Sequence, residues 1–137
     1  MARAEYRDPA GREATRHVLN VASVGLSAES VRWIQEQARR GRRHRFSYVT
    51  STFVGFARYR IAEVEISIDD ALVYNGPLCL CAIANGRYFG GGMPVAPHAR
   101  FDDGLLDVTS VAKLPLWETV PFFARLLRGT HVAHPRV

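Results

Sequence analysis

Residues 62–84 contain three apolar runs separated by two turn signals. In the first run, Val64, Ile66 and Ile68 alternate with polar residues, which is the period-two pattern of a half-buried strand. The turn signals are Asp69-Asp70 and Asn75-Gly76-Pro77, and the later runs are residues 72–74 and 78–84. The pattern predicts an antiparallel meander of three strands.

Strands are also predicted nearer to the two ends of the chain. Residues 2–23 predict a hairpin, with the turn at Asp8-Pro9-Ala10-Gly11 and a second strand at residues 17–22. Residues 105–111 predict a further strand. Most of the predicted sheet is therefore antiparallel.

Apolar residues recur with the helical period in three segments. Residues 28–40 predict the first helix, with Ser27 at its N-cap and Gly41 just beyond its end. The second helix is predicted to pack its stripe in the core rather than to line an acyl-chain pocket; the stripe is Phe46, Val49, Phe53, Phe56 and Ala57. Residues 116–127 predict the last helix, which Pro121 either interrupts or begins. Together the elements predict one α+β domain over residues 1–137.

The length of 137 residues suits one domain and excludes a large two-domain enzyme. The formal net charge is +5, and the first 60 residues carry 12 arginines against 5 acidic residues. The basic cluster at residues 39–45 either contacts anionic phospholipid headgroups or is a solvated connector. In the second case, Arg39 and Arg40 are favourably placed at a helix C-terminus.

The sequence has no run of about 20 apolar residues, as a transmembrane helix requires, and no apolar signal sequence. Cys79 and Cys81 lie two residues apart, which places them side by side on one face of a strand instead of in a disulfide. Neither they nor the histidines have the spacing of a zinc site. We expect a cytoplasmic protein, with peripheral contact to the inner membrane face as a further expectation.

Residues 85–108 hold five of the 11 glycines of the chain. The stretch begins with Asn85-Gly86 and contains the run Gly90-Gly91-Gly92. Consecutive glycines allow positive φ angles and let a ligand approach the main chain closely. The spacing of a P-loop or of a dinucleotide-binding loop is absent, so the sequence contains no recognised triphosphate-binding motif.

This stretch resembles the C-terminal domain of the bacterial diacylglycerol kinase family, lipid kinases related to sphingosine kinases and more distantly to NAD kinases. The matching features are Asn85-Gly86, the glycine run, Pro97, Ala99 and Asp103-Gly104-Leu105-Leu106. Residues 19–26 resemble the family's asparagine-containing strand and the small-residue turn before a helix. The resemblance implies a β-sandwich-like domain with two or three helices that caps an N-terminal nucleotide-binding domain.

The resemblance also implies site residues. A Mg²⁺ ion would be bound by the Asp103 carboxylate and the main-chain carbonyls of Arg100 and Leu105, where it would organise the loop without acting in the chemical step. Oxygen ligands suit this hard cation. The implied substrate-binding positions are Asn85, Gly90, Gly91 and Gly92. Asp102 and Asp107 are weaker candidates for water-mediated contacts at this site, and we interpret them as solvated charges of the turn and the strand edge.

The activity implied for the full-length protein is transfer of the ATP γ-phosphate to a lipid hydroxyl, such as that of diacylglycerol. The sequence lacks the family's Gly-Gly-Asp-Gly-Thr motif, which belongs to the nucleotide-binding domain, and its Asp-Gly-Glu, which carries the general base. Phosphoryl transfer needs positioned phosphates, a metal and an oriented hydroxyl. We therefore assign no catalytic residue and expect a truncated domain that ends in mid-structure and is inactive alone.

Two other functions stay open. A small basic module would bind nucleic acid through residues 39–45 with Phe46 or Tyr48, although no nucleic-acid motif is present and we expect no such partner. A non-catalytic domain would form a homodimer through an exposed sheet edge, with its interface at residues 78–84 or 105–111.

Overall fold

The computed structural model describes residues 1–41, 51, 54, 55 and 59–137. The elements are β1 Ala2–Arg7, β2 Glu13–Val18, β3 Val21–Gly25, α1 Leu26–Arg39, β4 Ala62–Ile68, β5 Ala71–Ala84, β6 Asp107–Ala112, α2 Leu116–Arg128 and a 3-10 helix at His131–Ala133. The strands form two antiparallel sheets, which confirms the predicted α+β, sandwich-like fold. The five residues that mark the predicted second helix lie outside the described part of the chain.

The first sheet is a two-stranded ribbon of β1 and β2, paired from Ala2 opposite Val18 to Arg7 opposite Glu13. Its turn is built on Asp8, whose Oδ1 atom accepts hydrogen bonds from the backbone nitrogens of Ala10 and Arg12 at 2.9 Å each. This is the turn that an aspartate followed by Pro-Ala-Gly predicts. The first half of the predicted hairpin is confirmed.

The second sheet is organised around β5. Strands β3 and β4 lie end to end along one edge of β5, and β6 lies along the other edge. Leu78 marks the junction, since it is opposite both Ala62 of β4 and Ala112 of β6. Residues 80–84 are paired with β3 on one side and with β6 on the other. The prediction that residues 78–84 form an exposed sheet edge, available for a dimer interface, is therefore wrong.

Strand β5 is longer than predicted because Asn75-Gly76-Pro77 is not a turn. The strand continues through these residues and pairs with β4 along them. Gly76 has a φ angle of 152°, and the Pro77 carbonyl accepts a hydrogen bond from the Lys113 nitrogen at 2.9 Å. A glycine inside a strand often marks an irregularity of the pairing, and both residues lie just before Leu78, where the pairing with β4 ends and the pairing with β6 begins. The predicted meander is therefore a two-stranded hairpin around Asp69-Asp70.

The predicted strand at 17–22 is also wrong. It is divided between β2 and β3, which belong to different sheets. The break falls at Leu19 and Asn20, where the Asn20 carbonyl accepts hydrogen bonds from the nitrogens of Asn85 and Gly86 at 2.8 and 3.2 Å. These long-range bonds hold the main chain at the point where it changes sheets.

Helix α1 begins two residues earlier than predicted, and Gly25, not Ser27, is its N-cap. Gly25 has a φ angle of 91°, and a Cβ atom there would lie 2.5 Å from the Cys79 carbonyl oxygen. Only glycine combines this φ angle with so close an approach to the backbone of β5. Gly41 follows the helix with a φ angle of 72°, as predicted.

The core lies on the face of the second sheet that carries Leu80, Ala82 and Ala84. The start of α1, the buried face of α2 and the segment 95–99 pack against this sheet. Pro121 lies inside α2 and neither ends the helix nor begins it. None of the described helices is long and apolar enough to span a bilayer.

Candidate functional site

The glycine run forms a short loop closed by a pair of hydrogen bonds. The nitrogen and carbonyl oxygen of Phe89 bond to those of Met93, at 3.0 Å in each direction. Between them, Gly90, Gly91 and Gly92 have φ angles of 42°, 75° and 93°. Three consecutive positive φ angles strongly favour glycine, so the run makes this closed loop possible at little cost in strain.

Val95, two residues after the loop, connects it to β6 and to the 3-10 helix through hydrogen bonds of its carbonyl oxygen. This oxygen accepts a hydrogen bond from the Thr109 hydroxyl of β6 at 3.0 Å and lies 3.0 Å from Nε2 of His131. The Val95 nitrogen in turn donates to the Met93 carbonyl at 2.9 Å. A continuous set of hydrogen bonds therefore joins the 3-10 helix to the glycine loop.

His131 is 1% exposed, and its Nδ1 atom has no hydrogen-bond partner within the described chain. Since Nε2 faces a carbonyl oxygen, Nε2 carries a proton and donates it to this hydrogen bond. Burial lowers the pKa of His131, and the hydrogen bond to Val95 opposes that shift. The Phe122 ring packs against the imidazole in a T-shaped arrangement, at a centroid distance of 6.1 Å.

Asn20 and Asn85 connect the glycine-rich segment to the end of β2. The Asn85 side chain donates to the Leu19 carbonyl at 3.0 Å, and the Asn20 side chain donates to the Tyr88 carbonyl at 2.8 Å. Gly86 lies between them, where a Cβ atom would overlap Asn20 Oδ1 and the Phe101 ring. These contacts give Asn85 and Gly86 a structural role in holding the two segments together. Contact of Asn85 with substrate stays a prediction.

A cavity of about 250 Å³ lies between α1, α2, β5 and the glycine loop. Its walls are mainly apolar and are formed by Leu26, Val31, Ile34, Leu80, Phe89, Gly90, Met93, Phe123 and Leu126, with Ser23, Ser27, Ser30 and Ser51 as the polar part. The Ser30 hydroxyl lies 3.2 Å from the carbonyls of both Leu26 and Ser51. The cavity therefore suits an apolar ligand with few polar atoms.

The predicted metal ligands Arg100, Asp103 and Leu105 lie in one exposed segment that precedes β6. Asp103 Oδ1 accepts a hydrogen bond from the Leu105 nitrogen at 2.9 Å, and Gly104 has a φ angle of 73° with open space around it. The Arg100 guanidinium bonds to the Asp102 carboxylate at 3.2 and 3.3 Å. This contact lowers the pKa of Asp102 and raises that of Arg100.

The donors in this turn fit Mg²⁺ by their chemistry, since one carboxylate and two carbonyls are hard oxygen ligands. The carboxylate would act with main-chain oxygens, because the described residues contain no group of three His, Cys, Asp or Glu side chains placed to hold a metal. Binding of Mg²⁺ by Arg100, Asp103 and Leu105 stays a prediction.

The structure separates the predicted site residues into two groups. Gly90 lines the cavity, Gly91 and Gly92 are exposed at the tip of the loop, and the turn of Asp103 is elsewhere on the surface. Sequence reasoning missed His131, Thr109 and the serines of the cavity. The helical spacing of Val31 and Ile34 is a local signal for part of the cavity wall.

The sequence matches a family described as the YegS C-terminal NAD kinase beta sandwich-like domain, over residues 20–137. A diacylglycerol kinase of Staphylococcus carnosus is 30% identical over 128 residues, a match that covers 83% of this chain and 42% of that protein. A probable lipid kinase YegS-like of Stenotrophomonas maltophilia is 33% identical over 87 residues, covering 64% of this chain and 28% of that protein.

The chain spans less than half the length of these relatives. The family match itself covers most of the chain and includes β3, the glycine loop, the turn of Asp103 and His131. On this match and the sandwich-like fold, the chain belongs to the YegS C-terminal domain family of lipid kinases.

Proposed function

We propose that this chain forms the lipid-binding side of a lipid kinase, which transfers the γ-phosphate of ATP to a hydroxyl group of a lipid such as diacylglycerol. The observation that carries the proposal is the apolar cavity bordered by the glycine loop. The relatives named diacylglycerol kinase and lipid kinase support a lipid as the substrate.

The cavity would hold part of an acyl chain. Each buried methylene group stabilises the bound lipid by about 0.8 kcal/mol, and Leu80, Phe89 and Leu126 offer the apolar surface for it. Gly90 lines the cavity whereas Gly91 and Gly92 are exposed. A lipid with its chain in the cavity would therefore present its polar end beside the exposed part of the loop.

The turn of Arg100, Asp103 and Leu105 would hold Mg²⁺ and contribute to the order of the segment that carries the glycine loop. The Arg87 Nε atom donates to the Ala99 carbonyl at 3.0 Å, which links this turn to the segment. In this proposal, Mg²⁺ supplies positive charge and order beside the cleft. The nucleotide phosphates would be positioned by residues outside this chain, so the chain alone transfers no phosphate.

The test is binding of 1,2-dioctanoylglycerol to the ¹⁵N-labelled chain, followed by amide chemical shifts. We expect chemical shift changes at Phe89, Gly90 and Met93. These changes should be lost in Val31→Trp, because Val31 lines the cavity, is half-exposed, and a tryptophan side chain there would fill the space. Leu72→Trp is the matched control, since Leu72 is similarly exposed, at 57% against 49% for Val31, and lies far along β5 from the cavity. Shifts confined to other residues would refute the cavity as the lipid site.

A second measurement tests whether the chain alone can transfer phosphate from ATP to the lipid. The chain, incubated with radiolabelled ATP, Mg²⁺ and dioctanoylglycerol, should give no phosphatidate. Formation of phosphatidate by the chain alone would show that it holds the nucleotide itself, in contradiction to the proposal.

A further inference from the structure

Helix α2 is apolar on two opposite sides. Its buried side carries Phe122 and Leu126, which are 7% and 6% exposed. Its other side carries Trp117, Val120 and Leu127, which are 78%, 60% and 52% exposed. A helix at the surface of a globular protein normally carries polar residues on its outer side, so α2 departs from the usual pattern.

The exposed residues form one continuous surface. At 100° per residue, the positions that point away from the core are Trp117, Val120, Pro121, Ala124, Leu127 and Arg128. We call these six residues the outer face of α2. Five of the six are apolar, and a contiguous exposed apolar surface of this kind marks a site of interaction with another apolar surface.

The charges around the outer face of α2 are positive. Arg125 and Arg128 lie in the last turn of the helix, and neither forms an ion pair with a described residue. The helix has a single acidic residue, Glu118, whose carboxylate is neutralised by Arg136 at 2.9 Å. An apolar surface with basic residues at one end complements a surface that is both apolar and anionic.

We propose that the outer face of α2 docks on an anionic phospholipid membrane. Trp117 lies at the level of the lipid headgroups, as amphipathic aromatic side chains do, while Val120 and Leu127 enter the boundary of the acyl region. Arg125 and Arg128 contact lipid phosphates. Because the helix is held in place by its buried side, binding needs no folding of a new segment.

The position of α2 relates this surface to the cavity. Phe123 and Leu126 line the cavity, so one helix borders the membrane on its outer side and the cavity on its inner side. The inference goes beyond the proposed function, because it assigns a surface and a partner without depending on which lipid is phosphorylated.

The experiment measures binding of the chain to phosphatidylcholine vesicles with and without phosphatidylglycerol, in the absence of ATP. The sequence has two tryptophans, so in Trp33→Phe the fluorescence of tryptophan comes from Trp117 alone. We expect a blue shift of Trp117 emission with the anionic vesicles. Trp117→Ser combined with Leu127→Ser should weaken binding at least about tenfold, and Arg125→Gln or Arg128→Gln about fivefold each.

Leu72→Ser combined with Val73→Ser is the control, since these residues are 57% and 55% exposed on β5, and we expect unchanged binding. Vesicle binding that the α2 variants do not weaken would overturn the proposal. So would a dimer, seen by light scattering, that the α2 variants dissociate. Binding of dioctanoylglycerol is measured without vesicles, so failure of the membrane surface and failure of the lipid cavity are distinguishable.

Discussion

The imidazole of His131 is hydrogen-bonded to the carbonyl oxygen of Val95 across 3.0 Å, in a place where the ring is almost completely buried. The two residues are 36 positions apart in the chain. Because Val95 follows the glycine loop and His131 follows α2, this bond fixes two walls of the cavity relative to each other. Burial keeps the ring neutral, because it lowers the pKa of His131.

The unfolding free energy should fall as the pH is lowered. Burial keeps the pKa of His131 below its ordinary value, so the unfolded chain takes up this proton at a higher pH than the folded chain. The contribution is fully present above the unfolded pKa of about 6.5 and is lost below it, with a slope of at most about 1.4 kcal/mol per pH unit. Urea unfolding between about pH 5 and 7.5 measures it.

His131→Gln should reduce this slope, since glutamine keeps an N–H donor for Val95 but does not titrate. The control is His98→Gln at an exposed position, which should leave the slope unchanged. If His131→Gln and the wild type lose stability in parallel, the acid sensitivity has another origin.

Gly86→Ala should destabilise the fold by about 1–3 kcal/mol through overpacking. The added Cβ meets Asn20 and Phe101, and moving Asn20 breaks its bond to the Tyr88 carbonyl. In an Asn20→Ala background the same substitution should cost at least about 0.5 kcal/mol less. Thermal unfolding of the four proteins gives the coupling, and additive costs would show that the two residues do not compete for this space.

Both thiols should be unreactive in the folded protein. Burial raises the pKa of Cys79 to about 11 and also raises that of Cys81, and both are free and buried within β5. Since the thiolate is the reactive form, modification by a disulfide reagent at about pH 8 should follow unfolding. Rapid reaction of either thiol without denaturant would contradict this burial.

Asp103→Asn should abolish metal binding without disturbing the turn. Asparagine keeps an oxygen acceptor for the Leu105 nitrogen but removes the charge. With the wild type, Mn²⁺ as a paramagnetic substitute for Mg²⁺ should broaden the amide signals of residues 100–105. Asp70→Asn, in the exposed turn between β4 and β5, is the control, and equal broadening in Asp103→Asn would refute the site.

Local patterns predicted the elements whose conformation depends on neighbouring residues. Asp69 and Asp70 form the expected turn, with φ angles of 49° and 63°, and Asp8 forms the other. The predictions failed where contacts with residues distant in the sequence determine the local conformation. Ser27 has the chemistry of an N-cap, but close packing against Cys79 gives that position to Gly25.

The candidate site shows the same division. The glycine loop and the turn of Asp103 are visible in the sequence because their residues are consecutive. The cavity is not, since its walls come from α1, β5, the loop and α2, which meet only in the folded chain. His131 carries no local signal, because its importance depends on a carbonyl oxygen far away in the sequence.

The division of β5 between two partners on one edge has a consequence for folding. Its first half pairs with β4 through a short turn, so that pairing closes a small loop, whereas β3 and β6 must find the second half from distant positions. Leu78 lies at the junction of these two halves. Amide hydrogen exchange should therefore reveal two cooperative units. The unit formed by the second half of β5 is the one that supports the cavity, which Leu80 lines, and the glycine loop.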